Sequence, residues 1–196
     1  MIAALFVEPR GEYSKFPGVD LWDQSRDARL YSGPHPVVAH PPCGRWCQLA
    51  GLVEARWGHK RGDDGGCFAA ALAAVRRWGG VLEHPAWTKA WPAHGLAVPP
   101  AFGWQQSIDG SWVCAVAQSA YGHRARKRTW LYYVGAQPPA VALWRQPKGR
   151  AVVAWCKNHG SEDRPRMTRR EASATPPAFA EFLISLARQS QVRRAA

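Results

Sequence analysis

The sequence predicts an α/β fold with a mostly parallel sheet, helices on both faces and an antiparallel hairpin at one edge. Three observations support this prediction. Short apolar runs bounded by proline and glycine indicate strands. Between two of these runs lies a segment with helical periodicity, which is the order of a parallel crossover unit. The Asp109-Gly110 pair, a typical hairpin turn, precedes a further run of β-forming residues.

Three short strands are predicted in the amino-terminal part of the chain. The first, Ile2 to Val7, ends at the turn from Glu8 to Gly11, and no clear helix follows it. The second covers residues 19–21, and the third, residues 36–39, stops at two prolines. Cys43 therefore lies just past the carboxyl end of a strand, which is where open α/β sheets bind their ligands.

A helix and a fourth strand complete the crossover unit. Asp63 or Asp64 can cap the helix, and a Gly-Gly pair at 79–80 ends it. Its apolar residues recur at spacings of three and four on one face: Cys67, Phe68, Ala71, Leu72 and Val75. The strand that follows ends at Glu83, so we expect Glu83 and Cys43 at the same edge of the sheet.

The second half of the chain is predicted to complete the sheet. Strands at 112–117 and 129–134 form the antiparallel edge within residues 104–135. The polar stretch 157–170 is expected to be a loop, and a last helix begins after Thr175-Pro176. That helix has an apolar face of Phe179, Phe182, Leu183 and Leu186. We therefore expect one domain over residues 1–187 and a disordered basic tail over 188–196.

The composition indicates a polyanionic partner. With 26 Lys and Arg against 14 Asp and Glu, the net charge is +12 and the isoelectric point is near 10.1. Such a field attracts nucleic acid, because neutralising phosphates releases counterions. A solvated basic surface without a partner is the alternative. The eleven Trp, several of them beside Arg, are able to stack bases, although most are expected to pack in the core.

Neither a membrane span nor a secretory signal is predicted. The chain contains no apolar run of about 18 residues, and Met1 to Val7 is too short for a signal peptide. Its five cysteines are an odd number without the spacing of a disulfide framework. This favours reduced thiols and a cytoplasmic localisation.

A Pro-Pro pair restricts the backbone before Cys43 and presents its thiol at the edge of the predicted sheet. A thiol held in this way is a candidate nucleophile, and His40 or Arg45 nearby would favour the thiolate. A structural cysteine is the alternative. Glu83, at the end of the next strand, is a candidate acid–base group that hydrogen-bonds a pyrimidine ring, although a lone Glu there is by default a surface carboxylate.

A basic segment precedes the strand at 129–134. It contains four cations in five positions: Arg124, Arg126, Lys127 and Arg128. These charges are suited to the phosphates that flank a target base. A solvated basic turn is the alternative.

Taken in order, these motifs resemble those of the DNA cytosine-5 methyltransferases, especially the short, phage-type members. Pro-Pro-Cys at 41–43 matches the nucleophile loop, and Glu83-His84-Pro85 is similar to the family's Glu-Asn-Val or Glu-Asn-Pro segment. Residues 120–135 are similar to the segment whose basic residues support a flipped base. Thr175-Pro176 and the closing helix resemble the terminal segment, so the resemblance covers residues 36–187.

The resemblance implies a Rossmann-like methyltransferase fold and a base-flipping reaction on DNA, in phage or bacterial DNA modification. Cys43 would add to carbon 6 of cytosine, Glu83 would assist at the ring, and a methyl group would come from S-adenosylmethionine. Arg45 and Lys127 would stabilise charge on the base or its phosphates. The residues assigned to the cofactor are Glu8, Gly11, Asp20 and Pro41.

Departures from the family's pattern favour a second hypothesis. One glycine replaces the Gly-rich turn and helix after the first strand, His84 stands in place of an asparagine, and Ala125 in place of a glutamine. Only about forty residues separate Gly135 from Thr175, too few for a large target-recognition domain. The alternative is a catalytically altered or inactive DNA-binding protein that lacks S-adenosylmethionine binding.

Two zinc hypotheses are open as well. A zinc deaminase also flips bases, but it requires His-x-Glu before Pro-Cys-x-x-Cys, whereas Pro-Cys comes first in this chain. A structural zinc site would use Cys43, Cys47, His59 and Cys67, without a Cys-x-x-Cys pair. We therefore predict no metal.

Overall fold

The computed structural model describes residues 1–135, 142–153 and 164–190. In these ranges seven strands form one sheet: β1 (Ile2–Leu5), β2 (Val19–Trp22), β3 (Val37–Ala39), β4 (Gly80–Pro85), β5 (Trp104–Gln106), β6 (Trp112–Ala117) and β7 (Arg128–Val134). Their order across the sheet is β2-β1-β3-β4-β7-β6-β5. The first four are mutually parallel, whereas the β4–β7, β7–β6 and β6–β5 pairs are antiparallel. The predicted α/β class and antiparallel edge are confirmed.

Five α-helices accompany this sheet in the same ranges: α1 (Ala50–Trp57), α2 (Cys67–Trp78), α3 (Ala90–Ala93), α4 (Arg169–Ser173) and α5 (Pro177–Gln189). α2 covers one face of the sheet through Phe68 and Val75, and α5 covers the other through Phe179 and Leu183. The sheet therefore has helices on both faces, as expected from the two amphipathic patterns. None of the described helices has the length and apolar character to cross a membrane.

Both predicted helices begin close to their expected caps. α2 starts at Cys67, and the Asp64 carboxylate accepts hydrogen bonds from the backbone N–H groups of Gly66 and Phe68. α5 starts at Pro177 and continues through residue 189, past the predicted boundary at 187. Ser190 is buried against Gly79, so the folded part extends to this residue. The predicted tail beyond it, 191–196, lies outside the described residues.

The prediction of a loop at 157–170 is wrong for its described part. β8 (Val152–Val153) and β9 (Arg166–Met167) form a two-stranded parallel sheet, and α4 follows directly. α4 begins with a capping box between Thr168 and Glu171, a Thr-x-x-Glu signal that the sequence does carry. A small core of Ala125, Ala151 and Met167 packs this unit against the basic segment. Residues 157–163 lie outside the described residues.

Candidate active site

The candidate site lies at the carboxyl ends of β3 and β4. The two strands pair in parallel, with Val38 opposite Val81 and Ala39 opposite Leu82. The next pair in this register is His40 and Glu83, so both side chains emerge side by side at the edge of the sheet. The sequence had placed Cys43 and Glu83 together on these grounds, and the structure adds the contact of His40 with Glu83.

Glu83 is held from two sides. His40 Nδ1 lies 2.8 Å from Glu83 Oε2, and Gln118 Nε2 donates to Glu83 Oε1 at 3.2 Å. Gln118 Nε2 also lies 3.0 Å from Thr129 Oγ1 on β7. Glu83 is only 7% exposed, so few water molecules can hydrogen-bond to its carboxylate. His40 and Gln118 supply the hydrogen bonds instead.

The charge of Glu83 is maintained in spite of its burial. Burial by itself raises the pKa of this carboxyl, but the hydrogen bond and charge of His40, with the charges of Lys127 and His84, outweigh it and lower the pKa to about 2. Glu83 is therefore ionised at neutral pH.

His40 is bound on its far side by Tyr13. The Tyr13 hydroxyl lies 2.7 Å from His40 Nε2, and the rings are 5.3 Å apart between centroids. Tyr13 belongs to a 3₁₀ helix, Glu12–Lys15, that follows β1, and it is 3% exposed. Burial, followed by the charges of Glu83 and Glu12, raises its pKa well above the ordinary value. The phenol therefore stays protonated.

The Cys43 thiol is half-buried at this edge and is not enclosed in the hydrophobic core. Burial raises its pKa, the Glu83 charge raises it further, and Lys127 opposes both. The charges of Glu83 and Lys127 therefore act on the thiol in opposite directions. Arg45 is half-buried, and its carbonyl accepts a hydrogen bond from Gly62. In the described part of the chain its guanidinium makes no hydrogen bond with Cys43.

His84 points away from this site. Its ring is buried on the α2 face, against Phe68 at 5.2 Å and Trp91 at 6.4 Å between centroids. Burial lowers its pKa to about 4, against the opposing charge of Glu83. The neutral ring therefore acts as a packing group, and the role that the resemblance gives to an asparagine at this position is open.

Comparison with known proteins assigns no family to this arrangement. No protein-family model matches the chain, and no curated protein or solved structure is significantly similar to it. The chemistry of the site therefore has to follow from its own side chains.

The four predicted phosphate-binding residues differ in their surroundings. Lys127 faces the site, and its Nζ lies 3.5 Å from the Ser173 carbonyl. Arg128 is exposed and lies over the Trp87 ring at 5.2 Å, while Arg126 donates to the Pro147 carbonyl. The fourth, Arg124, is exposed but forms an ion pair with the Glu171 carboxylate.

Three residues around the site have a strained backbone. Phe6 follows β1, Trp87 follows β4 and Lys127 precedes β7, with φ of 59°, 60° and 27°. Left-handed conformations of such residues cost about 1–3 kcal/mol each and cluster where a structure positions functional groups. All three border the carboxyl edge of the parallel strands. No sequence signal marks them, because none is a glycine or an asparagine.

Of the residues assigned to the cofactor, Glu8 and Gly11 follow β1 and Pro41 follows β3, on the two sides of the crevice where the strand order reverses, whereas Asp20 lies on β2 opposite Ala3. Glu8 is exposed, Pro41 is buried, and the Gly11 N–H donates to the Glu8 carbonyl in a tight turn. Each Asp20 oxygen accepts one hydrogen bond, from Arg26 Nη1 and from the Trp22 indole N–H.

This crevice does not fit S-adenosylmethionine. The chain after β1 forms a turn and a four-residue 3₁₀ helix, without the α-helix amino terminus that such nucleotide crevices use. The Tyr13 to His40 hydrogen bond crosses from the segment after β1 to the end of β3. Asp20, one of the residues assigned to the cofactor, forms an ion pair with Arg26.

The remaining alternatives concern metals. The described ranges contain no group of three or more His, Cys, Asp and Glu side chains placed to hold a metal ion. The four cysteines in these ranges, at 43, 47, 67 and 114, are free thiols, and Cys156 lies outside them.

Proposed function

We propose that the protein acts on DNA by adding the Cys43 thiolate to carbon 6 of an extruded cytosine, in the manner of the DNA cytosine-5 methyltransferases that its sequence resembles. The observation that carries this proposal is the parallel pairing of β3 and β4, which sets His40 beside Glu83 and starts the Cys43 segment at the same edge, where the Lys127 charge acts on both Glu83 and the thiol. A half-buried thiol, an ionised carboxylate and a cation are the groups that addition to a pyrimidine requires.

The addition uses each group in turn. The Cys43 thiol, whose pKa is raised, first gives its proton to solvent. The thiolate then forms a bond to carbon 6, and the electron pair of the 5,6 double bond moves into the ring. Each Glu83 oxygen retains a lone pair beyond its bond to His40 or Gln118, so it accepts an N–H from the amino group of cytosine. Carbon 5 then takes up a proton or another electrophile. Loss of the original hydrogen from carbon 5 expels the thiolate and restores the ring.

The distribution of charge supports DNA as the substrate. Residues 124–170 contain 12 of the 26 Lys and Arg and only two acidic residues. The Ala125 to Gly149 bridge and the hydrogen bonds of Arg150 and Ala151 N–H to the Arg124 carbonyl join two parts of this region. This basic region includes Lys127, whose charge acts on the Cys43 thiol, so phosphates bound there would flank the site.

A second candidate function is an altered member of this group that binds DNA and keeps the thiol chemistry but does not use S-adenosylmethionine. The observation that favours it is the crevice after β1, where Tyr13 and the paired Asp20 occupy the region expected for the cofactor. The resemblance to the DNA cytosine-5 methyltransferases predicts methyl transfer, whereas the second candidate lacks this step. The two candidate functions are otherwise the same.

The test is exchange of the carbon 5 hydrogen of cytosine for solvent deuterium, because addition of a thiol at carbon 6 permits this exchange without any methyl donor. Single-stranded and duplex oligonucleotides of mixed sequence are incubated with the protein in D2O, and their nucleosides are analysed by mass. We expect deuterated deoxycytidine. The Cys43→Ala variant is expected to lose about 1,000-fold or more of the rate, as variants without a covalent nucleophile do.

The matched control is Cys47→Ala, which removes another half-buried thiol four residues away and is expected to retain exchange. Exchange that persists in Cys43→Ala would overturn the proposal. Addition of S-adenosylmethionine separates the two candidates, since 5-methyldeoxycytidine appears only if the protein is a methyltransferase.

A further inference from the structure

We propose that His40 is a positioning residue that supplies Glu83 with the proton needed at ring nitrogen 3 of the substrate, through a relay of Tyr13, His40 and Glu83. This inference rests on the proposed function. It names a role for a side chain that is not part of the matched motifs: His40 precedes the Pro-Pro-Cys segment, and its partners come from β4 and from the 3₁₀ helix after β1.

The relay is a continuous chain of short contacts. The Tyr13 hydroxyl is 2.7 Å from His40 Nε2, and His40 Nδ1 is 2.8 Å from Glu83 Oε2. On its other side Glu83 is fixed by Gln118 at 3.2 Å. An imidazole bound at both nitrogens has one ring orientation available, and one tautomer is favoured by its partners.

The tautomer follows from the chemistry of the partners. Glu83 is an ionised carboxylate, which only accepts hydrogen bonds, so His40 Nδ1 must carry a proton. The Tyr13 hydroxyl is a donor or an acceptor as required, and it donates to Nε2 when the ring is neutral. Neutral His40 is therefore protonated at Nδ1. When the ring takes up a second proton at Nε2, the hydroxyl rotates to accept from it and the ring stays in place.

This arrangement moves a proton without moving a side chain. From the imidazolium, the Nδ1 proton passes to Glu83 Oε2, and His40 remains neutral with its Nε2–H donated to Tyr13. Glu83 passes the proton to nitrogen 3 of cytosine as the Cys43 sulfur bonds to carbon 6. When the thiolate leaves, the proton returns from nitrogen 3 to Glu83 and then to His40. The cycle has no net proton gain or loss.

Other charged groups near the relay affect the protonation of its members. Lys127, which precedes β7, acts on Glu83 and on the Cys43 thiol, Glu12 acts on Tyr13 from its own helix, and His84 on β4 is turned to the other face of the sheet. Lys127 favours the ionised form of Glu83, so Glu83 holds a transferred proton only while it passes that proton to the substrate ring.

The hydrogen-bonded chain can be tested without any activity. In ¹⁵N NMR spectra of the full-length protein at about pH 8, neutral His40 is expected to show the Nδ1-protonated pattern, the reverse of the pattern that is ordinary for an exposed histidine. Tyr13→Phe and Glu83→Gln are expected to return it toward the ordinary pattern. An Nε2-protonated His40 in the unsubstituted protein would overturn the relay.

The transfer of the proton is tested by the pH dependence of carbon 5 exchange between about pH 5 and 9. His40→Asn places an amide N–H near the position of Nδ1 but cannot carry the proton. We expect the rate of carbon 5 exchange to fall about 100-fold, within the range of general acid catalysis. The part of the pH dependence that requires His40 is expected to disappear. His59→Asn, at an exposed histidine, is the control and should leave the exchange rate and its pH dependence unchanged.

The two proposals fail in different ways. If the unsubstituted protein exchanges no hydrogen, the proposed function falls, and the NMR pattern alone decides whether His40 is held as described. If the unsubstituted protein catalyses exchange and His40→Asn has the same exchange rate and pH dependence, the relay is overturned and the proposed function stands.

Discussion

At the scale of single residues, Glu83 and His84 illustrate how neighbours in a strand acquire opposite roles. Successive side chains of β4 point to opposite faces of the sheet, so Glu83 meets His40 and Gln118 while His84 packs edge-to-face on Phe68. Both pKa values are lowered, that of Glu83 to about 2 and that of His84 to about 4. In both cases the unfolded chain binds the proton first as the pH falls, so acid destabilises the fold.

The Glu83→Gln variant is expected to show weaker acid sensitivity than the unsubstituted protein. The folded pKa of Glu83 lies below its ordinary value of 4.5, so its contribution to stability is present above about pH 4.5 and is lost as the pH falls toward 2. That contribution is about 3 kcal/mol for a shift of this size. Urea unfolding at pH values from about 3 to 8 measures it.

The control for this prediction is Glu181→Gln, at an exposed carboxylate on α5. It should follow the unsubstituted protein at every pH. Parallel curves for Glu83→Gln and the unsubstituted protein would mean that His40 does not stabilise the Glu83 charge.

At the scale of elements, the pairing of β3 with β4 positions the site, and Gly80 permits that pairing. Gly80 lies opposite Val37 with φ of 117°, and a Cβ built on it would lie 2.0 Å from the Val37 carbonyl oxygen. Only glycine allows the two backbones to approach so closely at the start of the pair. The register set there continues to His40 and Glu83 at the other end.

Gly80→Ala is therefore expected to destabilise the protein by about 3 kcal/mol or more, because both the φ angle and the contact with backbone are incompatible with a Cβ. Gly110→Ala provides the comparison, since Gly110 has φ of 79° but open space around its Cβ position. It should cost about 1 kcal/mol, the strain of the turn alone. Denaturant unfolding of both variants checks the difference, and equal losses would contradict the steric argument.

At the scale of the whole molecule, the positive charge is unevenly placed. The region from residue 124 to 170 is strongly basic, and its exposed Arg128 stands at the carboxyl edge beside the candidate site. Arg188 is also exposed, but it lies at the end of α5, near Ser190 and Gly79 at the opposite edge of the sheet. The two arginines carry the same charge in different positions.

DNA affinity is accordingly expected to fall steeply with salt, and the two arginines should contribute unequally to this dependence. Arg128→Ala should reduce the slope of log affinity against log salt by about 1, since each lost phosphate contact removes about 0.9 from it. Arg188→Ala should leave the slope unchanged. Fluorescence anisotropy with a labelled oligonucleotide between about 50 and 300 mM salt measures both. Equal slopes for the two variants would refute a basic surface centred on the site.

The order of the elements was predictable from local patterns. Periodicity marked α2 and α5, and turn residues bounded β3 and β4, so the edge shared by Cys43 and Glu83 followed from the rule for parallel strands. α1 was missed because its eight residues bury one side chain, Ala50, and show no apolar face. The β8–β9 pair was missed because two-residue strands carry no period of their own.

The sequence by itself therefore determined the α/β class, the two helical faces and the ends of the strands that carry the thiol and the carboxylate. Only the tertiary structure decided what surrounds them. Tyr13 and His40 are 27 residues apart, and Gln118 is 35 residues from Glu83. No local pattern links such pairs, because their contact depends on the register of strands and on which rotamers the packed edge of the sheet leaves available.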